Sequence, residues 1–223
     1  MFSPKDMDLP RGWPGRVDGD RVIQLAAQTL QAFFSGGGTA REHAEYPLAE
    51  VELRPPVLQP PSVRVFGPEG LGFAFSNPAA IAGPEADIPY PAGTEELDYG
   101  AGLAAVIGAD ERIGGFTIVN DWAARDLGDG KATDFATSLG PVVVTPDGQV
   151  GPVVARVNGE DCAQADVRPA WERLVEHAAC NTRLLPGDLI ACVAPHPPGA
   201  WLRPGDVVEL ETEGIGVLRN AIV

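Results

Sequence analysis

Apolar residues along the chain gather in short Val- and Ile-rich runs cut off by Gly, Pro and Asp. Runs of this kind at 62–66, 71–75, 102–107, 115–119, 141–145, 152–157, 188–193 and 206–211 predict strands, because β-branched segments bounded by turn formers favour extended pairing. The run at 102–107 is followed by Ala109-Asp110-Glu111 and then by a second apolar run, so the two read as a hairpin. Helical spacing stands out at Trp171, Leu174, Val175 and Ala178, which make one apolar stripe that needs a core to bury it.

The N-terminal stretch has a different rhythm. Asp18-Gly19 sits between two short apolar runs and predicts a small hairpin over 15–25. LAAQTLQAFF, residues 25–34, is rich in helix formers, and Gly36, Gly37 and Gly38 stop it. RPPVLQPP, residues 54–61, carries four prolines and fits neither a helix interior nor a central strand. The expected organisation is a small N-terminal segment with linker, 1–57, and a main body, 58–223. The fold class is α+β, mainly β, with few helices.

With 44% hydrophobic and 21% charged residues, the 223-residue chain can build one sizeable core. Its 16 basic residues against 31 acidic ones leave a formal charge of −15, which repels phosphate backbones and anionic membranes. Nucleic acid and membrane are therefore not expected partners. No apolar run is long enough to span a bilayer, and MFSPKDMDLPRGWPGRV lacks the apolar stretch of a signal peptide, so a cytoplasmic location is expected. Cys162, Cys180 and Cys192 are scattered and odd in number, as reduced, structural thiols are and a disulfide framework or zinc site is not.

Gly100-Ala101-Gly102-Leu103-Ala104-Ala105 can be read as a dinucleotide fingerprint, but that motif needs a preceding strand and a helix opening at its end. The hairpin reading leaves no place for the helix. LDYGAGLAAVIG (97–108), IGGFTIVNDWAARDL (113–127), GKATDFATSLGPVVVTPD (130–147), RVNGE (156–160), LLPGDLI (184–190) and WLRPGDVVELETEGIGVLRNAIV (201–223) instead resemble, in order, the fumarylacetoacetate hydrolase family. FSNPAAIAGPEADIPYP (75–91) extends the likeness. The resemblance implies a body of mixed, rolled β-sheets and a homodimer. It also implies C–C bond hydrolysis, or hydration, decarboxylation or tautomerisation, of oxo acids with Mg²⁺ or a similar cation that stabilises an enolate.

The departures fall on that chemistry. The family places glutamates where this chain has Gly100 and Gly102, two residues apart so that both carboxylates share one face of a strand. Asp121 matches the remaining acidic ligand, and one carboxylate makes a poor shell for a hard cation. The family's lid segment with its catalytic His is absent between PPSVRVFGPEGL and GFAFSNP, and ACVAPHPPG stands where a Gly-Thr turn is usual, with Ala194 near the Thr position. No metal and no cofactor are expected, and Mg²⁺ only if a site is rebuilt from residues such as Asp126, Asp134 or Glu69.

What remains gives Lys131, Asp121 and Arg125 as candidate catalytic residues, and Phe75, Asp134, Thr137 and His196 as candidate substrate contacts. A buried Asp121 without a cation would cost about 3–5 kcal/mol, so Lys131 or Arg125 is expected to pair with it, unless Asp121 merely orders its own NDWAARD turn. Phe75, Trp122, the Lys131 stem or a ligand is expected to fill the space facing the glycines. A His43–Glu45 dyad precedes the proline stretch and so lies away from the family's His position; His177 reads as solvated. The functional reading is a divergent enzyme of lyase, isomerase or hydrolase type acting without metal on a small oxo acid or β-dicarbonyl compound. The alternative is a catalytically silent binding or partner subunit.

Overall fold

A computed structural model describes residues 1–128, 130–195 and 201–223. Its centre is the strand Gly100–Ile107, all eight residues of which are buried. A strand covered on both faces reads as an unbroken apolar run, and this one does. Ala101, Leu103, Ala105 and Ile107 point into the larger core beside Trp122 and Ile118. Ala104 and Val106 point the other way, against Val119, Leu139 and Ala191. Gly100 and Gly102 continue this second row.

Around the central strand the described sheet runs, in spatial order, Phe73–Ser76, Val63–Phe66, Leu189–Pro195, Gly100–Ile107, Ile113–Asp121, Thr137–Val144 and Ile81–Ala82. The predicted hairpin is present: Gly100–Ile107 pairs antiparallel with Ile113–Asp121 across a turn in which Asp110 and Glu111 take positive φ. No crossover helix follows the glycines, which removes the dinucleotide reading. The sheet's two outer members are consecutive in sequence. The chain leaves one edge at Ser76 and joins the other at Ile81, which pairs parallel with Thr137. Asn77 makes that crossing, its side chain accepting from the Ala79 amide at 2.9 Å and donating to the Asp134 carbonyl at 3.0 Å. The sheet therefore curls, bringing the Ser76 edge round to Asp121.

A second sheet, Glu160–Ala165, Val153–Val157, Val207–Thr212 and Gly216–Ala221, shares the larger core. The helix Trp171–Ala179 buries Leu174 and Ala178 in it, as the stripe predicts. The eight predicted runs all fall on strands of the two sheets.

At the N-terminus the hairpin Gly15–Asp18 and Arg21–Leu25 forms, joined by a third strand, Glu42–Pro47. This corrects the helix expected from residue 25. Leu25 belongs to a strand paired on both sides, and the helix is limited to Leu30–Ser35. Thr29 starts it, its Oγ1 accepting from the Ala32 amide at 3.0 Å. Leu30 and Phe34 pack with Ala104 and Val106, so the N-terminal segment covers the second face of the central strand. Thr29→Ala is expected to lower stability by about 1 kcal/mol, as loss of a helix cap does, read from the urea midpoint.

No helix is long and apolar enough to cross a membrane among the described residues. Cys162, Cys180 and Cys192 are free. Only Cys192 is buried, its thiol pushed up to about 11 by burial, so the structural role expected of all three applies to it alone.

Candidate active site

Curling of the sheet gathers side chains from distant parts of the sequence around Asp121. Asp121 ends the strand Ile113–Asp121 opposite Thr137, so the two side chains share a face. Ser76, on the far edge, reaches the same point. The Ser76 hydroxyl donates to Asp121 Oδ1 at 2.7 Å and the Thr137 hydroxyl donates to it at 3.2 Å. Asp121 is 8% exposed. Burial pushes its carboxyl above the usual carboxylate range, against the smaller pull of the two hydroxyls and the charge of Arg125. A carboxyl whose proton affinity is raised this way is better suited to exchange a proton with a substrate.

The expected partners of Asp121 are placed otherwise. Arg125 donates through Nε and Nη2 to Asp98 Oδ2, at 2.9 and 2.8 Å, and Lys131 pairs with Asp134 at 2.8 Å. Neither forms a salt bridge with Asp121. The buried carboxyl is met instead by two hydroxyl donors, with burial raising its affinity for a proton. Asp121 also does more than order its own turn, since its partners lie 45 and 16 residues away. Ser76 was not singled out from the sequence. A serine carries no signal by itself, and its role appears only when the roll closes.

Arg125, whose charge acts on Asp121, is 41% exposed and Lys131 73%, so both remain accessible to an anion. Asp98, buried beneath Arg125, also accepts from the Tyr99 amide at 2.8 Å. Phe75 follows the strand alternation away from Ser76 and is 64% exposed, with the Arg64 guanidinium carbon 5.4 Å from its ring centre. His196 lies outside the described residues. His43 is exposed on the N-terminal sheet, and Glu45 is taken by Arg21 at 2.6 Å, which dissolves that dyad. His177 is exposed on its helix, edge-on to Phe66 and Phe73.

The space facing the glycines is filled by none of the expected groups. Trp122 is wholly buried in the larger core, donating from Nε1 to Ser138 at 2.9 Å, while Phe75 and Lys131 point outward. The neighbouring strand fills it. A Cβ on Gly100 would stand 3.6 Å from Asp121 Cβ and 3.4 Å from Val193 Cγ2; one on Gly102 would meet the Cys192 carbonyl oxygen at 2.0 Å and Val193 Cα at 2.8 Å. The residues present do not fit a divalent cation. Among the described residues no three acidic, His or Cys side chains converge on a common point. Asp126, one of the candidates for a rebuilt site, accepts from the Thr94 hydroxyl and the Glu95 amide, bonds that hold its carboxyl below the usual range. Asp134 is held by Lys131, and Glu69 is exposed in the 67–72 turn.

Residues 65–223 match the family profile described as fumarylacetoacetate (FAA) hydrolase C-terminal. The oxaloacetate tautomerase YisK of Bacillus subtilis is 30% identical over 229 residues, covering 79% of this chain and 75% of its own. The mitochondrial oxaloacetate tautomerase FAHD2A of Bos taurus is 32% identical over 177 residues, 65% of this chain, and the chain spans only 56% of that relative's length. Among solved structures, the fumarylacetoacetate hydrolase of Exiguobacterium antarcticum superposes with a TM-score of 0.82 at 26% identity, over 99% of this chain and 98% of that one.

Proposed function

Because the chain belongs to the fumarylacetoacetate hydrolase family, we propose that it is an enzyme acting on a small oxo acid or β-dicarbonyl compound by proton transfer between carbon and oxygen. The observation that carries this reading is the buried Asp121 carboxyl, gripped by Ser76 and Thr137 and made more basic by burial. Relatives named oxaloacetate tautomerases support the class.

Keto–enol interconversion adds and removes no atoms. The C–H bond next to a carbonyl breaks, an O–H bond forms on the carbonyl oxygen, and the electron pair of the C–H bond becomes the enol double bond. Asp121 serves as the group that takes and returns the proton. Arg125, steadied by Asp98, and Lys131, steadied by Asp134, are the rim cations that receive the substrate's carboxylate and the developing enolate oxygen. Thr137 fixes Asp121 and Asp134 fixes Lys131. All are side chains of this chain, and the route needs no metal step.

Purified protein in excess chelator, mixed with enol oxaloacetate and with smaller 2-oxo acids, is followed by the loss of enol absorbance. Acceleration over the spontaneous reaction is expected for at least one oxo diacid. Arg125→Lys keeps a cation for Asp98 but removes the second guanidinium arm, and is expected to raise KM about tenfold with kcat within a few-fold. An absence of acceleration across the panel overturns the reading.

A further inference from the structure

We infer that the strand Leu189–Pro195 seals this site against a divalent cation, so that the centre the family resemblance implies is excluded by backbone packing and does not return when two carboxylates are put back. The inference deepens the oxo-acid reading but rests on packing, and its test contains no substrate.

Gly100 and Gly102 share one face of the central strand, and a side chain at position 100 would start beside Asp121, 3.6 Å from its Cβ. That is where a carboxylate pair completing a cation shell with Asp121 has to stand. The same space is occupied at Gly102, where the Cys192 carbonyl leans over to 2.0 Å from the absent Cβ; at Gly100 the nearest atom is the Asp121 carbonyl oxygen at 2.9 Å, with a Val193 methyl in ordinary contact at 3.4 Å. The contact at Gly102 is backbone on backbone. Strand pairing anchors it on both sides, with Gly102 opposite Val193 and Leu103 opposite Cys192, so no rotamer change relieves it.

The rest of the site has adjusted to the same arrangement. Asp121 Oδ1 already accepts two hydroxyl protons, which a cation on that oxygen would displace. Asp98, a further buried carboxylate, is committed to Arg125, whose charge acts on Asp121 and repels a second cation. Loss of two side chains alone would have left a hole. Here the neighbouring strand's backbone stands in it at Gly102.

The test is a Mn²⁺ titration of the full chain at neutral pH, read by the electron paramagnetic resonance signal of free Mn²⁺ and by Tm, for the parent, Gly100→Glu and Gly100→Glu/Gly102→Glu. The parent is expected to leave the signal of free Mn²⁺ undiminished and Tm unchanged within a degree at 1 mM. A site of about 10 μM affinity would instead raise Tm by roughly 5–10 °C at that concentration, and seeing it in the parent overturns the inference. Gly100→Glu, whose Cβ needs only a small shift of the Asp121 carbonyl at 2.9 Å, is expected to fold and still not bind. The double variant is expected either to fail to fold or to fold without affinity, both of which follow from the backbone clash. A folded double variant that takes up Mn²⁺ at micromolar concentration overturns the claim that packing, and not the missing carboxylates alone, closes the site.

Discussion

Asp121→Asn is expected to lower turnover of the oxo acid by about 10²–10⁴-fold, the range for loss of a positioned acid–base group, while leaving the protein at least as stable at neutral pH. The amide keeps an oxygen that accepts from Ser76 and Thr137, so the hydroxyl grip survives, but it carries no transferable proton. Stability follows from the direction of the pKa shift. Burial raises the carboxyl's pKa in the folded chain above its unfolded value. The folded state therefore binds more protons between those two values, and the contribution of Asp121, complete below the unfolded pKa, is lost as pH rises through the folded one. Above that window the fold holds an ionised carboxylate in a poorly solvated place, a charge that asparagine lacks. Tm measured against pH for both proteins reads this: the advantage of the variant grows with rising pH and then levels off. The acidic limb of kcat in the parent falls in the same window, where the carboxylate that takes the proton is lost. A variant that keeps more than a tenth of parental turnover removes Asp121 from the chemistry.

The strands were legible wherever burial covers both faces or alternates strongly, because an apolar run bounded by turn formers is a local property. Gly100–Ile107 and Leu189–Pro195 are such cases. Glu160–Ala165 and Gly216–Ala221 passed unread; both are mostly exposed or half-exposed, and their pairing with Val153–Val157 and Val207–Thr212 makes them strands. Leu25 was misassigned because its local helix preference yields to two strand partners, one of them Glu42–Pro47 farther along the chain. At the site, Asp121 and Thr137 could be picked out by resemblance, but their bond could not, since it depends on register. Ser76 is the clearest omission. Its distance from Asp121 is set by closure of a curled sheet, a property of the sum of strand twists that no single segment carries.

The glycines were legible as an absence of carboxylates with another group standing close by, but not as backbone being that group. A strand interior glycine leaves either a void or room for a close neighbour, and Gly102 is the second kind, which makes a strong prediction about stability. Gly102→Ala is expected to destabilise the protein by about 3 kcal/mol or more, at or beyond the upper end of overpacking, because its new methyl meets a carbonyl oxygen at 2.0 Å inside paired backbone. Gly100→Ala, with the Asp121 carbonyl at 2.9 Å and only the Val193 methyl next, is expected to lose about a third of that by a small local shift. Gly67→Ala, in the turn that joins Val63–Phe66 to Phe73–Ser76, meets nothing within 4 Å and is expected to be neutral or stabilising by up to about 1 kcal/mol through the unfolded chain. The three variants differ from their parent by one methyl each, so urea unfolding compares the space at three backbone positions directly. The order 102, then 100, then 67 follows from the Cys192 carbonyl over 102, the Asp121 carbonyl beside 100 and open space at 67. Equal, small losses at 102 and 100 mean that the strand Leu189–Pro195 stands farther off and that a void faces Asp121, into which side chains, and with them a cation, could be returned.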